Sequence, residues 1–287
     1  MTAKTTTLSV DYCFDLAETL NSGQVFHWEE HCFGGIDGFA GCIGEAPPVW
    51  IAQTGESEIT TLRGAEDLVS EYLGLDQPID QIHSSFPQND EFLDLSISFC
   101  PGLRLIRQPM WECLATFITS SLKQVAHIRA ISLTLRERYG VAHQWDGKVF
   151  YSYPTPLAIA EAGEEALRKC SLGYRAKSLQ LAGQMISSGE IDLEGLPEMT
   201  TEQAVAELTR LHGVGDKIAH CALLFGGGRW EMFPIDVWIE RVLRKPYRKR
   251  VKGVKLQKWA MKYFGPNAGY AQQYLFHFAR KSVSVND

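Results

Sequence analysis

Two residues in the C-terminal third have types and spacing suited to chemistry, Lys217 and Asp236. Lys217 lies in LTRLHGVGDKIAHC (208–221), where two amphipathic patterns flank a short turn. The lysine therefore falls in the first turn of the second helix, where the macrodipole disfavours a cation. An amine pushed toward its neutral form is a nucleophile. The plainer reading is a lysine that points to solvent. Asp236 follows Pro234 at the start of the next helical pattern, IDVWIERVL. An aspartate there is also a routine helix cap. Together the two suit cleavage of an N-glycosidic bond. A carboxylate stabilises the positive charge that develops on the sugar, and an amine can capture C1′ as a Schiff base.

The turn between the helices carries Gly213 and Gly215. Glycine permits positive φ and lets another group approach the backbone closely. Free N–H groups at a helix N-terminus favour an anion, so the turn reads as a helix-hairpin-helix with a DNA phosphate as its expected ligand. An ordinary αα-corner is the competing reading.

The elements that must position these residues follow from pattern. In the first hundred residues, short apolar segments such as QVFHW, FGGIDGFAGCI and VWIAQ are broken by Gly, Pro and Asn. They read as antiparallel strands with turns, followed by two short helices, AEDLVSEYLGL and IDQIHSSF. From about 110 the spacing becomes helical. Leu114, Phe117, Ile118, Ser121, Val125 and Ile128 share one face, which predicts a single helix running to about Tyr139. A break follows at VAHQWDGKVFYSYPTP. Helices are expected over 157–170, 175–188 and 201–211, the last opened by a Thr200–Gln203 capping box. KIAHCALLFGG, IDVWIERVL, LQKWAMKYFG and GYAQQYLFHFARKSV complete the series. The expected fold is α+β: an N-terminal antiparallel sheet domain with short helices (1–105), then an all-helical body (106–287) with the hairpin at 201–225.

Composition bounds the setting. A hydrophobic content of 45% and a charged content of 22% are those of a globular protein. No apolar run approaches the ~20 residues of a membrane span, and the N-terminus has no signal-peptide core. Seven cysteines, an odd number with no CxxC pair, argue against a disulfide framework and a cysteine-ligated metal, so an intracellular setting is expected. The first hundred residues carry two basic side chains against 17 acidic ones, leaving 26 basic against 17 acidic beyond. The run RVLRKPYRKRVKGVKLQK (241–258) has nine Lys or Arg and no acid. This asymmetry points the C-terminal part at a polyanion, with a solvated basic loop as the alternative.

LHGVGDKIAHC…FPIDVWIERVL resembles the helix-hairpin-helix–Gly/Pro–Asp signature of base-excision DNA glycosylases. The lysine 19 residues before the aspartate is similar to the 8-oxoguanine DNA glycosylases in particular. Four further blocks resemble that family: LNSGQVFHW (20–28), RQPMWECLATFITSSLKQVAHI (107–128), LGYRAK (172–177) and NAGYAQQYLF (267–276). The resemblance implies Lys217 as nucleophile and Asp236 as stabiliser of the sugar. It implies a flipped base between Phe276 and Cys221, beside Pro234. Gln272 would hold the Watson–Crick edge, and the Gly23 carbonyl would accept from the N7–H that 8-oxoguanine has and guanine lacks. Tyr174 would wedge into the stack, and Arg175 would meet the orphaned base. Phosphate would lie on Gly213 and Gly215, with a K+ or Na+ held by the carbonyls of Thr209, Leu211 and Val214. No other cofactor is expected. The implied partner is double-stranded DNA containing a damaged purine, met by a monomer, with no membrane, in the nucleoid or nucleus.

The chain departs from the family in three places. Leu122-Lys123-Gln124 stands where the family has an Asn-rich run, and His127 where it has an Arg. Both departures predict a weaker preference for cytosine opposite the lesion. Trp238 replaces a phosphate-binding His, which leaves that phosphate contact without a charge. An alkylpurine glycosylase that uses Asp and water, and a noncatalytic DNA-binding hairpin, are the competing readings.

Overall fold

In the computed structural model, which describes residues 4–120 and 124–283, the chain is α+β. The strands β1 (Thr5–Ser9), β2 (Glu29–Phe33), β3 (Ile36–Cys42), β4 (Pro48–Gly55) and β5 (Glu58–Leu62) form one antiparallel sheet in the order β1-β5-β4-β3-β2. Helices α1 (Leu16–Asn21), α2 (Glu66–Leu73), α3 (Ile79–Ser84) and α4 (Glu91–Phe99) accompany it. One core, with Phe14, Leu16, Trp28, Ile51, Ile59 and Tyr72, lies between the sheet and the first two helices. The apolar side chains of Ile79, Ile82, Phe86 and Leu93 join the larger helical core instead.

The helical body begins with α5 (Met110–Ser120), in which Glu112–Ser120 are all buried. It continues with α6 (Val125–Tyr139). The expected single helix is thus divided. Gln124 has an extended backbone (φ −74°, ψ 153°) and serves as the N-cap of α6. The break carries no Gly or Pro to announce it.

A hairpin of β6 (Ala142–Trp145) and β7 (Lys148–Tyr151) interrupts the body. It fills the stretch read as a break, so the body is not wholly helical. Its two-residue turn, Asp146-Gly147, has both φ positive (46° and 75°), the requirement of a tight hairpin turn. Phe150 packs on Ala40, Cys42 and Trp50, covering the second face of the large sheet. His31 bonds Asp146 at 2.7 Å to fix it there.

QVFHW is also not a strand. Val25, Phe26, His27 and Trp28 are all buried, so no face is left for alternation. The backbone groups around them are satisfied by side chains. Gln108 donates to the Gln24 carbonyl at 3.0 Å, and Arg129 to the Trp28 carbonyl at 2.5 Å. Below this segment Glu112 is wholly buried. It pairs with Arg136, lies 3.4 Å from His27 Nδ1 and accepts the Gly44 N–H at 3.0 Å. Burial and the Arg136 charge hold His27 well below the usual imidazole range, so it is neutral.

The remaining helices are α7 (Pro156–Leu167), α8 (Arg175–Ser187), α9 (Thr201–Thr209), α10 (Asp216–Phe225), α11 (Val237–Arg244), α12 (Gly253–Phe264) and α13 (Ala268–Val283). Thr200 and Gln203 form the expected capping box at α9. None of the described helices is long and apolar enough to cross a membrane. All seven cysteines are free thiols.

Candidate active site

The hairpin is α9, a turn at 210–215, and α10. Gly213 has φ +79°, and a Cβ there would fall 2.5 Å from Ser178 Oγ on α8. Packing against α8 therefore demands glycine. Gly215, the N-cap of α10, would meet nothing within 4 Å if it carried a Cβ. Its surroundings leave open space at a helix N-terminus, where an anion fits. Ser178 also bonds His212 Nδ1 at 3.0 Å, holding the turn to α8.

Lys217 is the second residue of α10 and is half-buried. Its Nζ stands 5.1 Å from the centroid of the buried Phe117 ring on α5, a contact that pattern reading did not anticipate. The side chain therefore faces the protein, not solvent. Cys221, one turn on, is buried beside it. Burial pushes its thiol up, with the Lys217 charge opposing. A neutral thiol offers a small apolar surface to a ring.

Asp236 caps α11. Its Oδ1 accepts the amides of Trp238 (3.0 Å) and Ile239 (2.9 Å). Burial raises this carboxyl above the usual range, against the pull of those amides and of Lys217. No ion pair joins Asp236 to Lys217, so the amine is not tied up by the carboxylate. The segment leading to Asp236 is held from both sides. The Phe233 amide donates to His220 Nδ1 at 3.4 Å, and its carbonyl accepts from Gln257 at 3.3 Å. Burial pulls His220 down to about 4, which keeps that nitrogen an acceptor. Pro234 is buried next to it. Lys217, Ile235, Leu256 and Gln257 line a cavity of about 240 Å³ between the hairpin and α12.

Gln272 and Phe276 lie four residues apart on α13, hence on one face. Gln272 is buried, and its Oε1 has no hydrogen-bond partner. A buried acceptor left unmatched costs free energy, and a bound group that brings a donor would relieve it. Gly23, with φ +90°, sits against the Phe276 ring. Arg280, one turn beyond Phe276, lies over the same ring at 5.5 Å and feels the charge of Asp236. Gly23 and Phe276 thus share a wall, with Gln272 on the same face of α13, and Arg280 links that wall electrostatically to Asp236.

The other expected residues lie at the margins. Tyr174 is 60% exposed, too open for a core role, at the tip before α8. The Arg175 guanidinium covers its ring at 4.6 Å and donates to the Gly213 carbonyl at 3.3 Å, joining that tip to the hairpin. His127 is exposed in the first turn of α6. Trp238 is half-buried beneath Arg241, whose Cζ lies 5.2 Å from its ring. Leu122 lies outside the described residues. Thr209 ends α9, so its carbonyl has no helical partner. The Leu211 carbonyl takes the Val214 N–H at 3.0 Å with one lone pair to spare. A monovalent cation fits these neutral oxygen donors. No His, Cys, Asp and Glu group suited to a metal occurs among the described residues.

Comparison with known proteins agrees with this fold. The family model described as the 8-oxoguanine DNA glycosylase N-terminal domain matches residues 7–114. A structure of MBOgg1 in complex with a low affinity DNA ligand superposes with a TM-score of 0.89 and 31% identity, covering 97% of this chain and 96% of that one. The Clostridium acetobutylicum 8-oxoguanine glycosylase/lyase, in complex with double-stranded DNA containing cytosine opposite 8-oxoG, gives a TM-score of 0.87 and 26% identity over 99% and 100%. The N-glycosylase/DNA lyase OGG1 of Arabidopsis thaliana is 26% identical over 90% of this chain and 75% of its own. The chain belongs to the 8-oxoguanine DNA glycosylase family, within the helix-hairpin-helix DNA glycosylases.

Proposed function

We propose that this protein excises 8-oxoguanine from duplex DNA as a bifunctional glycosylase/lyase of base-excision repair. The observation that carries the reading is the placement of a half-buried amine, Lys217, and a half-buried carboxylate, Asp236, without an ion pair between them, with Asp236 linked electrostatically through Arg280 to the contact of Gly23 with Phe276.

Tyr174 fills the stack as the damaged nucleotide swings out, which offsets the few kcal/mol of unstacking. The base lies against Phe276, opposite Cys221 and beside Pro234. Gln272 meets its Watson–Crick edge. The Gly23 carbonyl accepts from N7–H, a donor that guanine lacks, so guanine leaves a buried acceptor unmatched. Phosphate rests on the amides around Gly213 and Gly215. A K+ or Na+ on the Thr209, Leu211 and Val214 carbonyls would add positive charge behind it. Arg175 and His127 face the strand opposite the lesion.

The C1′–N9 bond breaks with its electron pair leaving on the base. Asp236 stabilises the cationic sugar, and the Lys217 amine donates its lone pair to C1′ and loses a proton. Ring opening gives an iminium between Nζ and C1′. Loss of a C2′ proton then expels the 3′ phosphate, and water releases the enzyme. The protein acts as a monomer wherever the DNA is, in nucleoid or nucleus.

Borohydride trapping on a duplex with one 8-oxoguanine tests the reading. Wild type should give a covalent adduct that Lys217→Gln abolishes. Base release without an adduct would move the chemistry to a water-using glycosylase. Neither signal would leave a DNA-binding hairpin.

A further inference from the structure

The loop that carries Gly23 belongs to no strand, yet its carbonyl can select a base only if it is held still. Side chains of α13 grip the chain around it, His277 among them at 2.7 Å from Glu18. Gln273 donates to the Ser22 carbonyl at 3.3 Å, Arg280 to the Asn21 carbonyl at 2.6 Å, and Lys281 pairs with Glu18 of α1 at 3.1 Å. Of these, Arg280 also lies against Gly23 itself. Its Nη1 lies 3.4 Å from the place where a Gly23 Cβ would stand, and its guanidinium covers Phe276 at 5.5 Å. A guanidinium donates from a rigid planar fork. With Nη2 fixed on Asn21, Nη1 is fixed against Gly23. The same side chain thereby sets the spacing between the Gly23 backbone and the ring on which a base would stack.

We propose that Arg280 is a positioning residue that aims the Gly23 carbonyl across the face of Phe276, and so sets the discrimination between purines with and without a donor at N7. The proposal rests on the reading of Gly23 given above. A simple staple between α1 and α13 would act differently: it would support all DNA binding alike.

The test is the ratio of Kd values for guanine and 8-oxoguanine duplexes, measured in a Lys217→Gln background so that no cleavage intervenes. Arg280→Met should lower that ratio about tenfold, roughly the worth of one net hydrogen bond. Arg280→Lys, which keeps a cationic donor for Asn21, should recover most of it. Lys281→Ala, which removes a half-exposed ion pair, should leave the ratio within about twofold. Equal weakening of both duplexes by Arg280→Met would overturn the proposal, as would a loss in Lys281→Ala as large as that in Arg280→Met. Absence of any preference in the Lys217→Gln background would instead remove the reading of Gly23 and the proposal with it. Should Arg280→Met not fold, Arg280→Gln, close in size, carries the same measurement.

Discussion

A Cβ on Gly23 would stand 3.2 Å from Cε1 of Phe276, on a backbone with φ +90°. Both facts oppose any side chain there. Gly23→Ala should push the loop off the ring and add backbone strain of order 1–3 kcal/mol. In a Lys217→Gln background, affinity for an 8-oxoguanine duplex should fall while affinity for an abasic-site duplex, which places no base on the ring, holds. Equal losses on both would place Gly23 outside the base pocket.

Asp236 caps α11 and, on the function proposed above, also stabilises the sugar, two roles that a single substitution separates. Asparagine retains an oxygen for the Trp238 and Ile239 amides, so α11 keeps its cap, while the charge is lost. Base release by Asp236→Asn should fall on the order of 10²–10³-fold. Its pH behaviour follows in sign. Burial raises the folded-state carboxyl above its unfolded value. The ionised group therefore costs stability above the folded pKa, and that cost vanishes below the unfolded one. As pH rises through this interval, the Tm of Asp236→Asn should gain on wild type. Wild-type base release should show an acid limb above the range of an exposed aspartate, absent from the residual activity of the variant. Parallel Tm curves would argue against the burial effect.

Glu112 is the buried partner of Arg136 and a neighbour of neutral His27. Glu112→Gln leaves a buried guanidinium unpaired, which costs about 3–5 kcal/mol. Denaturant unfolding should show a lower midpoint with an unchanged slope. A shift below about 1 kcal/mol would mean that water reaches Arg136 in the variant.

The basic run 241–258 is mounted on a fixed frame. Tyr247 and Tyr263 both donate to Asp90, the cap of α4, and Lys249 lies 4.1 Å from the Trp259 centroid. Arg248, Arg250 and Lys252 remain exposed. Replacing these three with Ala should reduce the salt slope of duplex binding by roughly 2–3, about 0.9 per lost phosphate contact. An unchanged slope would show that the run does not touch DNA.

His127, exposed at the start of α6, has a shorter reach than Arg and one ring to donate from. With Leu122 in place of Asn nearby in sequence, 8-oxoguanine should be excised at comparable single-turnover rates opposite C, A, G and T. A strong cytosine preference would sink this expectation, and His127→Arg should then leave it unchanged.

The hairpin, its capping box and the order of the helices could be read from sequence because each is written in local signals: paired glycines, Thr200 with Gln203, and apolar spacing. The division between α5 and α6 could not. The apolar spacing runs on through 121–125, and Gln124 breaks the helix with no turn residue. QVFHW has the composition of a strand, but its partners are the side chains of Gln108 and Arg129, more than 80 residues away. The hairpin at 142–151 did carry a signal, Asp146-Gly147, that helical neighbours overshadowed. At the site, Lys217 and Asp236 stood out by type and spacing, while Gln272 was singled out only through the family resemblance. Phe117 was not, since its ring faces Lys217 only through the packing of α5 on α10. Arg280 had a faint signal, a cation one turn beyond Phe276.

The double commitment of Asp236 Oδ1 has an evolutionary consequence. Drift at this position is confined to residues that cap a helix, chiefly Asn, Ser and Thr, since others would also cost α11 its start. Lys217 caps nothing and forms no ion pair among the described residues, so a lineage can shed its amine and keep the scaffold. On the function proposed above, descendants that lost the lyase reaction would therefore be expected to change at 217 first, and to retain the carboxylate at 236.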